Sequence, residues 1–244
     1  MVYGVHAVSE ALAGGEKLLR IHIGDVRRRD PALRELLAAA TDAAIPVRFE
    51  GRGFFAQFPY KAHQSVVAFT APFDYVTLED VLERRKRRAA SPALIVVLDH
   101  ITDPHNLGAI IRTAEAVAAD AVVVPERRSA GVNATVRKAA AGATAYVPIV
   151  RVANVAQSLR SLKNAGLWIA GADLSEQAVP YDQADLRADL ALVIGAEGAG
   201  ISPVVRKECD WVLGIPMAGR IASLNASVAA AVLLFEVRRQ RAAC

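Results

Sequence analysis

The chain has 244 residues, room for two modest domains, and is 53% hydrophobic but only 6% aromatic, so its cores must be built from Ala, Val, Leu and Ile in an α/β protein. A net charge of +4 points mildly to an anionic partner, whereas two cysteines, Cys209 and Cys244, exclude a disulfide framework, and no Cys/His cluster suggests a metal. The start MVYGVHAVSEAL lacks the cationic lead and apolar run of a secretory signal, and no apolar run reaches membrane-spanning length, so a cytoplasmic protein without membrane attachment is expected.

In chain order, residues 4–14 carry helical spacing through Val5, Val8 and Leu12, and 17–23 read as a strand entering the basic turn Arg27-Arg28-Arg29. A helix over about 30–44 has Asp30 as its N-cap and Pro31 at the first helical position. A strand near 46–50, an apolar segment with Phe54, Phe55 and Phe58, and a strand over 65–70 complete a first domain, 1–72. The charged stretch 73–92, with Arg84-Arg85-Lys86-Arg87-Arg88 and a Pro-containing end, reads as a linker.

The second domain, 93–244, opens with the strand ALIVVLD at 93–99. Further strand-like runs at 121–124, 145–150, 167–172, 190–194 and 211–215 alternate with helical patterns near 107–118, 134–141, 153–165, 203–208 and 225–241. Runs that are apolar throughout indicate a parallel sheet covered on both faces. In such sheets ligands bind at the carboxyl ends of the strands, where three loops stand out.

The first loop, Asp99 to Ala114, contains Asp103-Pro104, Asn106 and Arg112. A helix starting at Pro104 would point Asn106 and Arg112 about 120° apart, whereas a start near Leu107 would leave Asn106 free to face one cleft with Arg112. An arginine amid Ile110, Ile111 and Ala114 calls for an anionic partner, for which RNA phosphate suits its planar fork. The second loop, Gly195-Ala196-Glu197-Gly198-Ala199-Gly200, lets backbone approach a ligand closely, but its spacing fits neither a dinucleotide fingerprint nor a P-loop, which argues against a Rossmann oxidoreductase. The third, Ile215-Pro216-Met217 to Ser223-Leu224-Asn225, enters an Ala/Val/Leu helix that Ser223 or Asn225 could cap.

Together the three segments resemble the signature motifs of the SpoU family of RNA ribose methyltransferases in the SPOUT superfamily: D-P-x-N-x-G-x-x-x-R-T-A at Asp103–Ala114, G-A-E-G-x-G at Gly195–Gly200 and I-P-M…S-L-N at Ile215–Asn225. The opening Tyr3-Gly4-Val5-His6-Ala7-Val8, with Glu10-Ala11-Leu12, resembles the family's substrate-binding domain, related in fold to ribosomal protein L30e. The resemblance implies an α/β catalytic domain with a C-terminal trefoil knot and S-adenosylmethionine as methyl donor. It places Gly195, Ile215 and Leu224 around the cofactor, and Arg112, Asn106, Glu197, Ser223 and Asn225 at the catalytic site. Arg112 matches an arginine assigned to the RNA phosphate and to deprotonation of the 2′-hydroxyl. An arginine stays protonated in proteins, which favours a clamp over a base. Arg241 matches a terminal basic position that assists in some relatives, and the apolar run Ala229–Phe235 suits the homodimer that relatives form.

The two-domain layout implies ribosomal RNA, with a guanosine in the peptidyl-transferase loop of 23S rRNA as target. A thiopeptide-resistance enzyme acting on an rRNA adenosine, a tRNA enzyme and a non-catalytic RNA-binding protein are the competing readings. His100 and His105 flank the first motif without metal-ligand partners and read as polar loop residues, while His6, in the first domain, reads as an RNA contact or a local cap.

Overall fold

The structure, a computed structural model, describes residues 1–14, 17–58, 63–87, 91–173, 175, 178–220 and 223–242. Cys244, Arg88 and the Ile221-Ala222 step of the third loop lie outside them. Contacts group Met1–Phe73 and Asn133–Lys138 in one unit, and Asp74–Val132 and Ala139–Cys244 in another.

The first unit contains β1 (Val2–Tyr3), α1 (Val5–Ala13), β2 (Leu18–Gly24), α2 (Arg34–Asp42), β3 (Val47–Glu50), α3 (Arg52–Ala56) and β4 (Val66–Thr70). The strands lie in the order β1-β4-β2-β3, with β2 and β3 parallel and the other pairs antiparallel. Alternation along the strands sends Ile21, Ile23, Val66 and Ala68 into one core with Val8, Ala11, Leu36 and Ala40 of the helices. Asp30 accepts the Ala32 N–H at 2.9 Å and so caps a 3-10 turn, Pro31–Leu33, that runs into α2.

The following elements are α4 (Leu78–Arg87), β5 (Leu94–Leu98), α5 (Pro104–Ala116), β6 (Ala121–Pro125), α6 (Ala134–Ala140), β7 (Ile149–Val152), α7 (Val155–Asn164), β8 (Trp168–Ala172), β9 (Val179–Pro180), β10 (Leu190–Ile194), α8 (Pro203–Arg206), β11 (Trp211–Gly214) and α9 (Ala226–Ala242). The seven strands of the second unit form one parallel sheet in the order β7-β6-β5-β10-β8-β11-β9. The chain steps outward from β5 to β7, crosses to β8, and returns to insert β10 between β5 and β8. Every residue of β5 and β10 is buried, as uninterrupted apolar runs require when both faces are covered. One face packs against α4, α7 and α8 through Leu78, Val81, Leu159, Leu162 and Val205; on α5 and α9, which pack together, Leu107, Ile110, Ile111, Leu233 and Leu234 are buried.

The stretch 73–92, expected as linker, instead carries α4. Thr77 accepts the Asp80 N–H at 3.1 Å, while the Asp80 carboxylate accepts the Thr77 N–H and hydroxyl: a capping box with aspartate in place of glutamate. Its basic run forms the last turn, where positive charge suits the helix dipole, and Lys86 pairs with Glu83 at 2.8 Å. The strand expected over 145–150 begins later, at Ile149, because Ala143–Ala145 takes a 3-10 turn after Gly142.

Arg241 is no solvated helix end. Its guanidinium donates to the carbonyls of Pro92 at 2.8 Å, Ala93 at 2.8 Å and Ala188 at 2.6 Å, tying the end of α9 to the entries of β5 and β10. Arg241→Ala leaves these carbonyls without their charged donor and should lower stability by about 3 kcal/mol in urea unfolding, with the activity per folded molecule retained.

Candidate active site

The site is built where β8, β10 and β11 end side by side. After β10 the chain doubles back sharply: Ala196 N–H donates to the Gly200 carbonyl at 3.0 Å and Gly200 N–H to that of Ala196 at 2.9 Å. The turn closes only because residue 195 has no side chain, since a Cβ there would lie 2.1 Å from the Gly200 carbonyl carbon. Gly200 has φ of 66°, and a Cβ on it would lie 2.6 Å from an oxygen of Asp173. Asp173, just past β8, is held by the Arg206 guanidinium at 2.5 Å.

Around this loop opens a cavity of about 280 Å³. It is lined by Asp173, the loop Gly195–Gly200, Ile215 and Met217 after β11, and Ser223 and Leu224 before α9. All three residues expected around the cofactor, Gly195, Ile215 and Leu224, line it, as do Glu197 and Ser223.

Asn225 joins two of the sequence loops. Its side-chain oxygen accepts the Ser227 N–H at 2.9 Å and hydroxyl at 2.7 Å, which makes it the N-cap of α9. With the oxygen committed to the helix, the amide must face outward, where it donates to Asn106 Oδ1 at 3.0 Å and to Glu197 Oε2 at 3.1 Å. One side chain thus caps a helix and couples the first and second motifs.

Arg112 stands apart. Asp103 caps α5 by accepting the His105 N–H at 2.9 Å, so the helix starts at Pro104 and Asn106 lies in its first turn. Six residues further on, Arg112 is rotated by about 120° and displaced by about 9 Å along the axis. It is exposed, does not line the cavity, and has no hydrogen-bond or ionic partner among the described residues. The helix start that would have let Asn106 and Arg112 face one cleft is therefore not the one adopted.

His100 Nδ1 lies 2.6 Å from Asp99 Oδ1, the other oxygen of Asp99 accepts the Ser202 N–H at 2.7 Å, and His6 sits 3.1 Å from Glu10. Among the described residues no cluster of His, Cys, Asp or Glu could hold a metal, and no helix is long and apolar enough to cross a membrane. Asp173 lines the cavity without having been singled out in the sequence, whereas Met217 belongs to the third loop. The rule that ligands sit at carboxyl ends of strands, applied to β8, would have found Asp173.

Residues 93–235 match the model of the SpoU rRNA Methylase family, and residues 1–76 that for RNA 2′-O ribose methyltransferase substrate binding. The chain belongs to the SpoU family of S-adenosylmethionine-dependent RNA 2′-O-ribose methyltransferases. It is 45% identical to an uncharacterized tRNA/rRNA methyltransferase of Synechocystis sp., covering 99% of this chain but 62% of that protein. It is 42% identical to the 23S rRNA (guanosine-2′-O-)-methyltransferase RlmB of Pseudomonas aeruginosa, covering 98% of this chain and 96% of that one. The crystal structure of the SpoU methyltransferase AviRb from Streptomyces viridochromogenes with AdoMet superposes with a TM-score of 0.65 at 28% identity, covering 100% of this chain and 90% of that one. The cavity fits that cofactor in kind: near the lower end of ligand-site volumes, it combines apolar walls at Ile215, Met217 and Leu224 with a backbone-rich loop that has no room for a Cβ at 195.

Proposed function

We propose that this chain methylates the ribose 2′-hydroxyl of a guanosine in the peptidyl-transferase loop of 23S rRNA, acting as a cytoplasmic homodimer. The observation that carries this reading is the Asn106–Asn225–Glu197 network standing at the Gly195–Leu224 cavity. Kinship to the Pseudomonas enzyme, named as a 23S rRNA (guanosine-2′-O-)-methyltransferase, supports the choice of nucleoside. The family's trefoil knot belongs to the same reading.

Bound S-adenosylmethionine supplies an electrophilic sulfonium methyl. The chain's own task is to bind and orient. Backbone groups of the Gly195 loop and the Ile215 and Leu224 segments hold the cofactor, and the Asn225 amide fixes Asn106 and Glu197 where a ribose can meet them. Ser223, half-buried on the cavity wall, adds a hydroxyl to the same site.

Arg112 completes the site of the other subunit by clamping an RNA phosphate. Two features support dimerisation. Arg112 is exposed and outside its own cavity, and α9 exposes the apolar side chains of Val228 and Phe235, seven residues apart on one face. A monomer in light scattering at micromolar concentration would contradict the dimer.

Asn225→Asp separates capping from coupling. The aspartate still caps α9, so thermal stability should change little, but the donor to Asn106 and Glu197 becomes a carboxylate facing a carboxylate. Methyl transfer should fall by about a hundredfold. Equal loss of stability and activity would reduce Asn225 to a cap.

In ribosomal RNA from a strain lacking the gene, one 23S guanosine should lose its 2′-O-methyl group. Loss at an adenosine, or in tRNA alone, would assign the substrate to one of the other branches of the family.

A further inference from the structure

The first unit has a second sheet face, and it differs from the face that builds the core. Strand register places Arg20 opposite Phe69, His22 opposite Val67 and beside Arg48, and Tyr3 opposite Val67. Because Ile21, Ile23, Val66 and Ala68 point to the core, these residues all share the other face. The α3 helix covers part of it: Phe54 stacks on His22 at 4.5 Å, and Phe58 meets Phe54 at 5.4 Å and Tyr3 at 6.0 Å.

Beyond that cover lies a strip of different character. The Arg20 guanidinium sits 4.4 Å over the Phe69 ring, and Arg20, Arg48 and Arg52 are all exposed. None of these three arginines has a carboxylate partner among the described residues. Arg27 and Arg28 of the same unit are instead spent on local pairs, with Asp30 at 2.7 Å and with Asp25 at 3.2 Å. Glu50, the carboxylate on this face, is held by His22 at 2.9 Å.

We propose that this strip binds an unpaired RNA nucleotide, its base stacking on the Arg20 guanidinium and a flanking phosphate meeting Arg48. The inference rests on the family's assignment of this domain to substrate binding and deepens it by naming the surface and the form of RNA. A guanidinium already laid flat on an aromatic ring offers a rigid stacking plane at little ordering cost. Uncompensated arginines beside it gain affinity by releasing counterions from phosphates. A duplex, with its bases stacked on one another, would gain the charge term but not the stacking term.

The test uses the full chain, a 23S rRNA transcript containing the peptidyl-transferase loop, and the same sequence annealed to its complement. The Arg20→Ala, Arg48→Ala double variant should bind the single-stranded transcript at least about tenfold more weakly, with a shallower salt dependence. S-adenosylmethionine affinity by calorimetry should stay at the wild-type value, and the loss in transfer should appear in KM for RNA rather than in kcat. Arg20→Lys should keep the salt dependence yet lose affinity, because it retains charge without a plane. Affinity of the double variant within about twofold of wild type, or an equal loss on the duplex, would overturn the proposal. If the wild type transfers no methyl group to any ribosomal RNA, the reading of function falls, while the binding comparison still decides the strip.

Discussion

Gly195→Ala is expected to abolish cofactor binding. The added Cβ would lie 2.1 Å from the carbonyl carbon of Gly200, 2.2 Å from its oxygen and 2.4 Å from the Ile201 nitrogen. All three are backbone atoms, far inside a van der Waals separation of about 3.5 Å, and no rotamer change relieves them. The loop must open, and with it the wall of the cavity. Overpacking of this kind typically costs about 1–3 kcal/mol of stability, which the large second core can absorb, so the protein should still fold. S-adenosylmethionine affinity by calorimetry should nevertheless weaken by more than about a hundredfold, since loop and cofactor compete for the same space. Gly198→Ala is the matched control. No atom lies within 4 Å of a Cβ there, so the substitution strains the backbone at its φ of 76° but does not force the loop open by a steric clash. Equal cofactor affinity in the Gly195 variant and the wild type would show that the cavity is not the cofactor site.

Arg112→Ala should lower kcat/KM for RNA by about a hundred- to a thousandfold, as expected when a charge that stabilises the transition state is removed. Because the side chain is exposed and unpartnered among the described residues, the melting temperature and cofactor affinity should not change. Complementation then tells which subunit's cavity it serves. Arg112→Ala and Asn225→Asp chains, each inactive alone, are mixed and allowed to exchange subunits. If Arg112 acts across the dimer, each mixed dimer has one complete site, and random exchange restores about a quarter of wild-type activity. If Arg112 serves its own subunit, the mixture stays inactive. Near-normal transfer by Arg112→Ala alone would remove the residue from the mechanism.

The legible parts of this protein were those where local chemistry interrupts a regular pattern. Glycine and polar loops at the ends of β5, β10 and β11 break runs that are otherwise wholly apolar, and they converge on the cavity and the Asn225 network. The α4 helix was hidden by its own charge: a run of Arg and Lys resembles a linker, although Thr77 and Asp80 already spell a cap three residues apart. The relation of Asn106 to Arg112 hung on a helix start, where a shift of three residues decides whether Asn106 is helical at all. Arg241 could not be read locally, because the carbonyls it binds belong to residues at least 53 positions away. Asp173 carries no motif of its own, and its place on the cavity wall depends on strand order.

The most direct measurement is transfer of a labelled methyl group from S-adenosylmethionine to a 23S rRNA transcript containing the peptidyl-transferase loop, followed by digestion to nucleosides. A matched transcript carries 2′-deoxyguanosine at the position that becomes labelled. The chain should yield 2′-O-methylguanosine from the first transcript and no label in the second. Label on a base, or undiminished labelling of the deoxy transcript, would contradict methyl transfer to the ribose.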